Sequence, residues 1–185
     1  MKTLETKRLI LRPWRAGDLN DFHEYCTDPE VGPNAGWKPH ESLEESREIL
    51  ARFLKDEGEC AVVLRENGKV IGSLGLFADK LGHEGLGAGR EMGYVLSHAY
   101  WGHGLMPEAV RRVVVFAFEE LGLDYLAVSH FPFNARSARV IEKCGFRYEK
   151  TTQASYCNYR GQMLPEVCYL LTRADYLANP DFYRA

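Results

Sequence analysis

The sequence predicts an α/β (α+β) domain: a mixed sheet with helices on its faces. Three observations predict it. Residues 90–97 read as a short apolar strand with β-friendly Tyr94 and Val95, run through Gly102 and Gly104, and enter a segment with Val110, Val113, Val114, Ala117, Phe118 and Leu121 at helical spacing. Asn67-Gly68, between two apolar runs, is a strong hairpin signal. The periodicities along the chain alternate in the order β-α-α-β-β-β-α-β-α-β-β, without an internal repeat or low-complexity linker. A chain of 185 residues accommodates one well-buried domain, expected over 1–185.

In order, residues 7–14 form a first strand that ends near Pro13. Asp18 is expected to cap a helix carrying Leu19, Phe22, His23 and Tyr25, which Asp28-Pro29-Glu30 breaks. The Gly- and Pro-containing stretch 31–40 reads as a loop. Ser42, with Glu45 three residues on, is expected to open a second helix with Ile49, Leu50, Phe53 and Leu54 inward, ended by Gly58. Residues 60–65 and 69–77 are the hairpin strands. Residues 79–89, with Gly82, Gly85, Gly87 and Gly89, read as a mobile connector; no apolar helix follows to make Gly85-Leu86-Gly87-Ala88-Gly89 a phosphate loop. Beyond the central helix, Leu121-Gly122-Leu123 marks an end and 125–131 a strand. Asn134 then caps a short helix with Ala138, Val140 and Ile141 inward, ending at Gly145. Phe146 enters another strand, Gly161 sits in a turn, and 167–171 form the last strand before a polar tail.

Composition excludes several classes. A net charge of −3 gives no global pull toward nucleic acid or anionic membrane, and neither is an expected partner. No apolar run approaches the ~20 residues of a membrane span, and the first residues lack a signal-peptide core. Cys26, Cys60, Cys144, Cys157 and Cys168 are odd in number and form no Cys-x-x-Cys, as expected for reduced, mostly buried thiols in a cytoplasmic protein. No residues have metal-ligand spacing, since His83-Glu84 lacks the second His of His-Glu-x-x-His.

The Gly102-His103-Gly104 turn opens the central helix, with Pro107 in its first turn. Helix starts expose N–H groups and partial positive charge, and glycines let an anion approach the backbone. The turn suits a phosphate or pyrophosphate, or is simply a tight connection. Pro107 stands where a dinucleotide fingerprint needs its third glycine, and no Gly-Lys-Ser/Thr follows.

A second constellation narrows this. Tyr100-Trp101-Gly102-His103-Gly104-Leu105-Met106-Pro107-Glu108-Ala109 is followed about 30 residues later by Asn134-Ala135-Arg136-Ser137-Ala138-Arg139-Val140-Ile141-Glu142-Lys143-Cys144-Gly145-Phe146. In this order the pair resembles the GNAT acyl-CoA N-acetyltransferases. Thr6-Lys7-Arg8-Leu9-Ile10-Leu11-Arg12 and Glu91-Met92-Gly93-Tyr94-Val95-Leu96 resemble the RimJ/RimL branch, which acetylates protein N-termini among other amines. The resemblance covers roughly residues 5–172. It implies a mostly antiparallel sheet splayed between the family's fourth and fifth strands (here 90–97 and 125–131), acetyl-CoA as cosubstrate, no metal, and direct transfer to a primary amine. The family is often dimeric.

By the same resemblance, backbone N–H groups of Trp101, Gly102, His103, Gly104, Leu105 and Met106 would hold the pyrophosphate. Val95, Leu96 and Ser97, where a bulge splays this strand from the next, would pair with the pantetheine, an N–H near Leu96 polarising the thioester carbonyl. Asn134 would contact the pantetheine or act only as a helix cap. Glu91 is the candidate general base, with ion pairing to Arg90 as its plain alternative; His98 and His103 are lesser alternatives. Ser137 is the candidate acid for the leaving thiolate, or an ordinary first-turn serine. Three departures stand out: Ala99 where the family carries Gln or Arg, Ile141 where many members have an acidic Tyr, and Ser155 where the branch often has Glu. Phe22, Tyr25 and Trp37 are candidate acceptor lining, and Asp28, Glu30, Glu41 and Glu44 either attract a cationic amine or form a solvated face. The competing reading is a non-catalytic acyl-CoA sensor.

Overall fold

The computed structural model describes residues 1–55, 58–80, 82–83 and 85–184; Glu84 of the His83-Glu84 pair lies outside them. Among the described residues the main sheet has eight strands in the order β1 (Leu4–Glu5), β2 (Leu9–Arg12), β3 (Glu59–Leu64), β4 (Val70–Phe77), β5 (Gly89–Leu96), β6 (Tyr125–His130), β10 (Val167–Thr172) and β7 (Arg147–Thr151), and β8 (Tyr156–Cys157) pairs with β9 (Met163–Leu164). The register of β5 with β6 is parallel; the other described registers are antiparallel. The chain divides into two compact units, residues 1–75 with 94–105 and residues 76–93 with 106–184. Among the described residues no helix is long and apolar enough to cross a membrane.

The first unit holds β1 (Leu4–Glu5), β2 (Leu9–Arg12), α1 (Leu19–Cys26), α2 (Leu43–Phe53), β3 (Glu59–Leu64) and most of β4 (Val70–Phe77). Its core gathers Trp14, Phe22, Tyr25, Cys26, Val31, Leu50, Ala61, Val63 and Val70. Asp18 does not cap α1. Its carboxylate turns back to accept both Arg12 Nη atoms at 2.8 Å and the Arg15 N–H at 2.8 Å, because a buried guanidinium needs a fork-shaped partner. Ser42 does cap α2, accepting the Glu45 N–H at 3.1 Å, while the Glu45 carboxylate accepts the Glu41 N–H rather than closing a capping box. The helix ends at Phe53, short of Gly58, and Leu54 is 45 % exposed. The hairpin turn is longer than a two-residue primed turn: Gly68 has φ +75°, but Asn67 is not left-handed, and its side chain accepts the Lys69 N–H.

Opposite β3 the register slips from Val62↔Gly72 to Val63↔Val70, leaving Ile71 as the extra residue of a β-bulge in β4.

The second unit contains most of β5 (Gly89–Leu96), α3 (Leu105–Glu119), β6 (Tyr125–His130), α4 (Ala135–Lys143), β7 (Arg147–Thr151), β8 (Tyr156–Cys157), β9 (Met163–Leu164), β10 (Val167–Thr172), α5 (Arg173–Ala178) and α6 (Pro180–Arg184). Val110, Val113, Val114, Ala117 and Phe118 are buried along α3, each large side chain contributing about 1.5–3 kcal/mol. Leu121, beyond the helix end, is 49 % exposed instead. The expected polar tail is two short helices: Tyr176 stacks on Phe118 at 5.2 Å, and the Thr172–Asp175 capping box starts α5. The parallel register runs only from Gly89↔Tyr125 to Met92↔Val128, whereas the strands continue to Leu96 and His130. This matches the parting expected of these strands. Four cysteines are buried, Cys157 is exposed, and all five are free thiols.

Candidate active site

The end of β5 is built by close backbone approach. A Cβ on Gly72 would lie 2.3 Å from the Val95 carbonyl oxygen, so only glycine lets β4 come this near. One residue away, the Ile71 carbonyl at the bulge accepts the Ser97 N–H at 2.7 Å. A bulge is expected in the 95–97 strand; the one described lies instead in β4, against β3. Trp101 folds back, its indole N–H donating to the Leu96 carbonyl at 2.8 Å, and its ring lies 4.4 Å from that of His98. Its backbone N–H donates to the His98 carbonyl at 3.1 Å and so is already engaged within the turn.

Gly102 (φ +82°) and Gly104 (φ +72°) are left-handed on either side of His103, and all three are exposed. Such alternation turns successive N–H groups toward one side, making an anion nest at the start of α3. A Cβ on Gly102 would meet nothing within 4 Å. Leu105 and Met106 are buried and anchor the helix start. Sequence reasoning missed Arg8: its Nη1 donates to the His103 carbonyl at 2.9 Å, and its guanidinium lies 3.7 Å from where a Gly104 Cβ would be. Arg8 adds positive charge to a turn whose own position 99 is an exposed alanine. Open space at Gly102, two left-handed glycines at a helix start and a neighbouring cation fit a pyrophosphate.

In the second unit, Glu91 sits half-buried on β5. Burial raises its pKa; the backbone N–H of Lys80 donates to it and opposes that rise; the carboxylates of Glu166 and Asp79 add to it. A carboxylate held above its usual range suits a proton acceptor. Glu166 was also missed. It accepts from Ser129 Oγ at 2.8 Å and from Ser155 Oγ at 2.5 Å, so the serine found where the branch often has Glu bonds a carboxylate that stands just before β10. Asn134 Oδ1 accepts the Ser137 N–H at 3.0 Å, a true N-cap, and Ile141 is buried at 1 % exposure.

The acceptor-lining candidates fare differently. Phe22 and Tyr25 are 3 % and 2 % exposed and pack edge-to-face in the core, so neither lines an open cleft. Trp37 lies half-exposed against Gly32, where a Cβ would be 2.6 Å from its ring. Glu41 pairs with Lys38 at 3.3 Å and Glu44 with Arg47, as a solvated face would; Asp28 lies 3.5 Å from His98. Within the 79–89 stretch, expected to be a loose connector, two described residues are held: the Ala88 N–H donates to Asp124 Oδ2 at 2.8 Å, and His83 is buried.

The acetyltransferase (GNAT) domain model matches residues 8–147. An uncharacterized N-acetyltransferase, p20 of Bacillus licheniformis, is 26% identical over 181 residues, covering 95% of this chain and 99% of that protein. A GNAT-family acetyltransferase structure from Bacillus anthracis superposes with a TM-score of 0.82 at 21% identity, covering 94% of this chain and 99% of that one. The ribosomal-protein-S5-alanine acetyltransferase structure from Vibrio fischeri gives 0.73 at 19% identity, covering 95% and 99%. With motif order, fold and family model in agreement, the chain belongs to the GNAT family of N-acetyltransferases.

Proposed function

We propose that the protein transfers the acetyl group of acetyl-CoA to a primary amine, either a protein N-terminal amine of the RimJ/RimL kind or a small-molecule amine, by direct attack on the thioester. Acetyl-CoA supplies the activated acetyl group. The 102–104 nest with Arg8 beside it carries this reading, because it offers donors and charge at a helix start built for a pyrophosphate. Gly102, His103, Gly104, Leu105 and Met106 hold the phosphates; Trp101 acts through its indole by fixing the end of β5. Val95, Leu96 and Ser97 orient the thioester arm and Asn134 contributes a polar contact. Glu91 accepts the ammonium proton and Ser137 protonates the departing thiolate. The likeness to a ribosomal-protein acetyltransferase supports a peptide amine as acceptor.

A second reading, an acyl-CoA sensor without turnover, draws on Ile141, a core residue where many relatives carry an acid. Two measurements separate them. Ligand bound to the native state alone raises the apparent Tm, and thiol release against peptides beginning with Ala or Ser and simple diamines reports turnover. A Tm rise with thiol release is the expected result. A rise with no release on any amine favours the sensor, and no rise at saturating acetyl-CoA refutes both.

A further inference from the structure

The segment between β4 and β5 carries ionisable groups that the acetyl-transfer reading leaves unused. His83, its side chain 3 % exposed, lies between two carboxylates: Nδ1 is 2.7 Å from Asp79 Oδ2 and Nε2 is 2.7 Å from Glu149 Oε2. The same Asp79 oxygen accepts the Tyr125 hydroxyl at 2.8 Å and the His83 backbone N–H at 3.3 Å. The 79–83 segment, β6 and β7 thus meet at one imidazole. A neutral imidazole has a single N–H and can donate to one carboxylate; only the imidazolium donates to both. Burial opposes protonation, but the hydrogen bonds and charges of Glu149 and Asp79 outweigh it and raise the ring's pKa. The Tyr125 hydroxyl, pushed up to about 12, stays a donor.

Lys80 follows Asp79, and its backbone N–H bonds the Glu91 carboxylate. One peptide therefore joins the buried ion cluster to Glu91. The charged groups facing Glu91 are Asp79, Glu166 and Lys80. Those facing His83 are Asp79 and Glu149, with Lys150 3.8 Å from Glu149. His83 is the buried cation in a set dominated by carboxylates.

We propose that His83 is a positioning residue for acetyl transfer: its imidazolium, bridging Asp79 and Glu149, fixes the Asp79-Lys80 peptide against Glu91 and partly neutralises Asp79, so that Glu91 stays ionised and ready to take the amine proton. The role rests on Glu91 being the base. Loss of the imidazolium acts on Glu91 twice with one sign. A freed Lys80 N–H no longer stabilises the carboxylate, and an unneutralised Asp79 destabilises it, so Glu91 binds its proton more tightly.

The titration of Glu91 tests this without a known acceptor. In protein labelled with 13Cδ-glutamate, the Glu91 resonance is assigned by its loss in Glu91→Gln. Its midpoint is expected to rise by about one pH unit in His83→Gln, and by less in Glu149→Gln, which keeps the ring but removes one carboxylate. An unmoved midpoint in folded His83→Gln overturns the proposal. If that variant does not fold, Glu149→Gln decides: an unmoved midpoint there overturns it too. Thiol release by Glu91→Gln, on whichever peptide or diamine the wild type acetylates, tests the base separately. Full activity of Glu91→Gln removes the base reading and the positioning role with it. A lost activity with a shifted midpoint in His83→Gln supports both, and the acidic limb of the His83→Gln kcat/KM profile then moves up with the midpoint. A uniform rate loss at every pH, with that limb unmoved, marks His83 as merely structural and overturns the proposal.

Discussion

Gly72→Ala probes the strand end on which the thioester arm is proposed to lie. Glycine within a strand costs about 0.5–1 kcal/mol relative to alanine, so at an open position the substitution would stabilise the protein by that much. At Gly72 the added Cβ falls 2.3 Å from the Val95 carbonyl oxygen, 3.2 Å from its carbon and 3.1 Å from Leu96 Cα. All three are backbone atoms, which no rotamer change can move. Overpacking of this kind costs about 1–3 kcal/mol, which leaves a net loss of up to about 2.5 kcal/mol. For a chain of this length that corresponds to a Tm lowered by up to about 10 °C. Because the strain falls on Val95 and Leu96, the KM for acetyl-CoA should rise as well, whereas a remote destabilisation would leave it unchanged. Thermal unfolding and initial rates over a range of acetyl-CoA concentration measure the two effects. A Tm equal to or above wild type with an unchanged KM would show that β4 and β5 do not approach this closely and would refute the reasoning.

The remaining predictions concern single side chains. Gly102→Ala meets no atom but must hold φ +82°, so it should cost about 1–2 kcal/mol in Tm measurements and weaken acetyl-CoA binding; Gly68→Ala, strained alike at φ +75° in the hairpin, should leave that binding unchanged. Arg8→Gln should raise the acetyl-CoA KM by about tenfold and flatten its salt dependence, with little change in Tm, because the lost contact is an exposed charge-assisted bond. Ser137→Ala should lower kcat without melting α4, since Asn134 caps through the Ser137 N–H and not its hydroxyl; unchanged kcat removes Ser137 from the mechanism. Glu91→Gln should lower kcat by about 10²–10⁴-fold. Its stability effect has a definite sign: a raised folded-state pKa means wild type loses stability as pH climbs from the unfolded carboxylate value through the folded one. The Tm advantage of the Gln variant should therefore open above pH ~4.5 and be absent below it.

Much of the fold was legible because its signals are local. The helical spacing of Val110, Val113, Val114, Ala117 and Phe118 needs only a window of residues, and so do the Ser42 and Asn134 caps and the Gly145 and Gly161 turns. Errors came where a distant partner overrode a local preference. Asp18 has the chemistry of a helix cap, but a buried Arg12 six residues upstream takes its carboxylate. Residues 173–184 read as a polar tail, yet Tyr176 stacks on Phe118, a partner that no short window contains. Residues 79–89 look like a loose glycine connector, and the ion cluster around His83 depends on Glu149, 66 residues away.

The same division runs through the site and bears on how departures from a motif are read. Ala99 looked like a loss, because a family pattern written along the chain expects a Gln or Arg side chain at that position. A phosphate turn needs positive charge nearby, and physics does not specify which strand supplies it. In this protein Arg8, 95 residues from His103 in sequence, donates to the carbonyl at the centre of the turn. Ser155 follows the same logic, since its hydroxyl bonds Glu166 and the carboxylate arrives from the residue just before β10. A missing motif residue is therefore evidence of lost function only when its charge has no replacement in space. At position 141 no such replacement is evident: the side chain there is an isoleucine closed into the core. Ser137 is then the proposed proton donor to the thiolate, and Ser137→Ala tests that role through kcat, while thiol release by the wild type is what divides an acetyltransferase from a sensor.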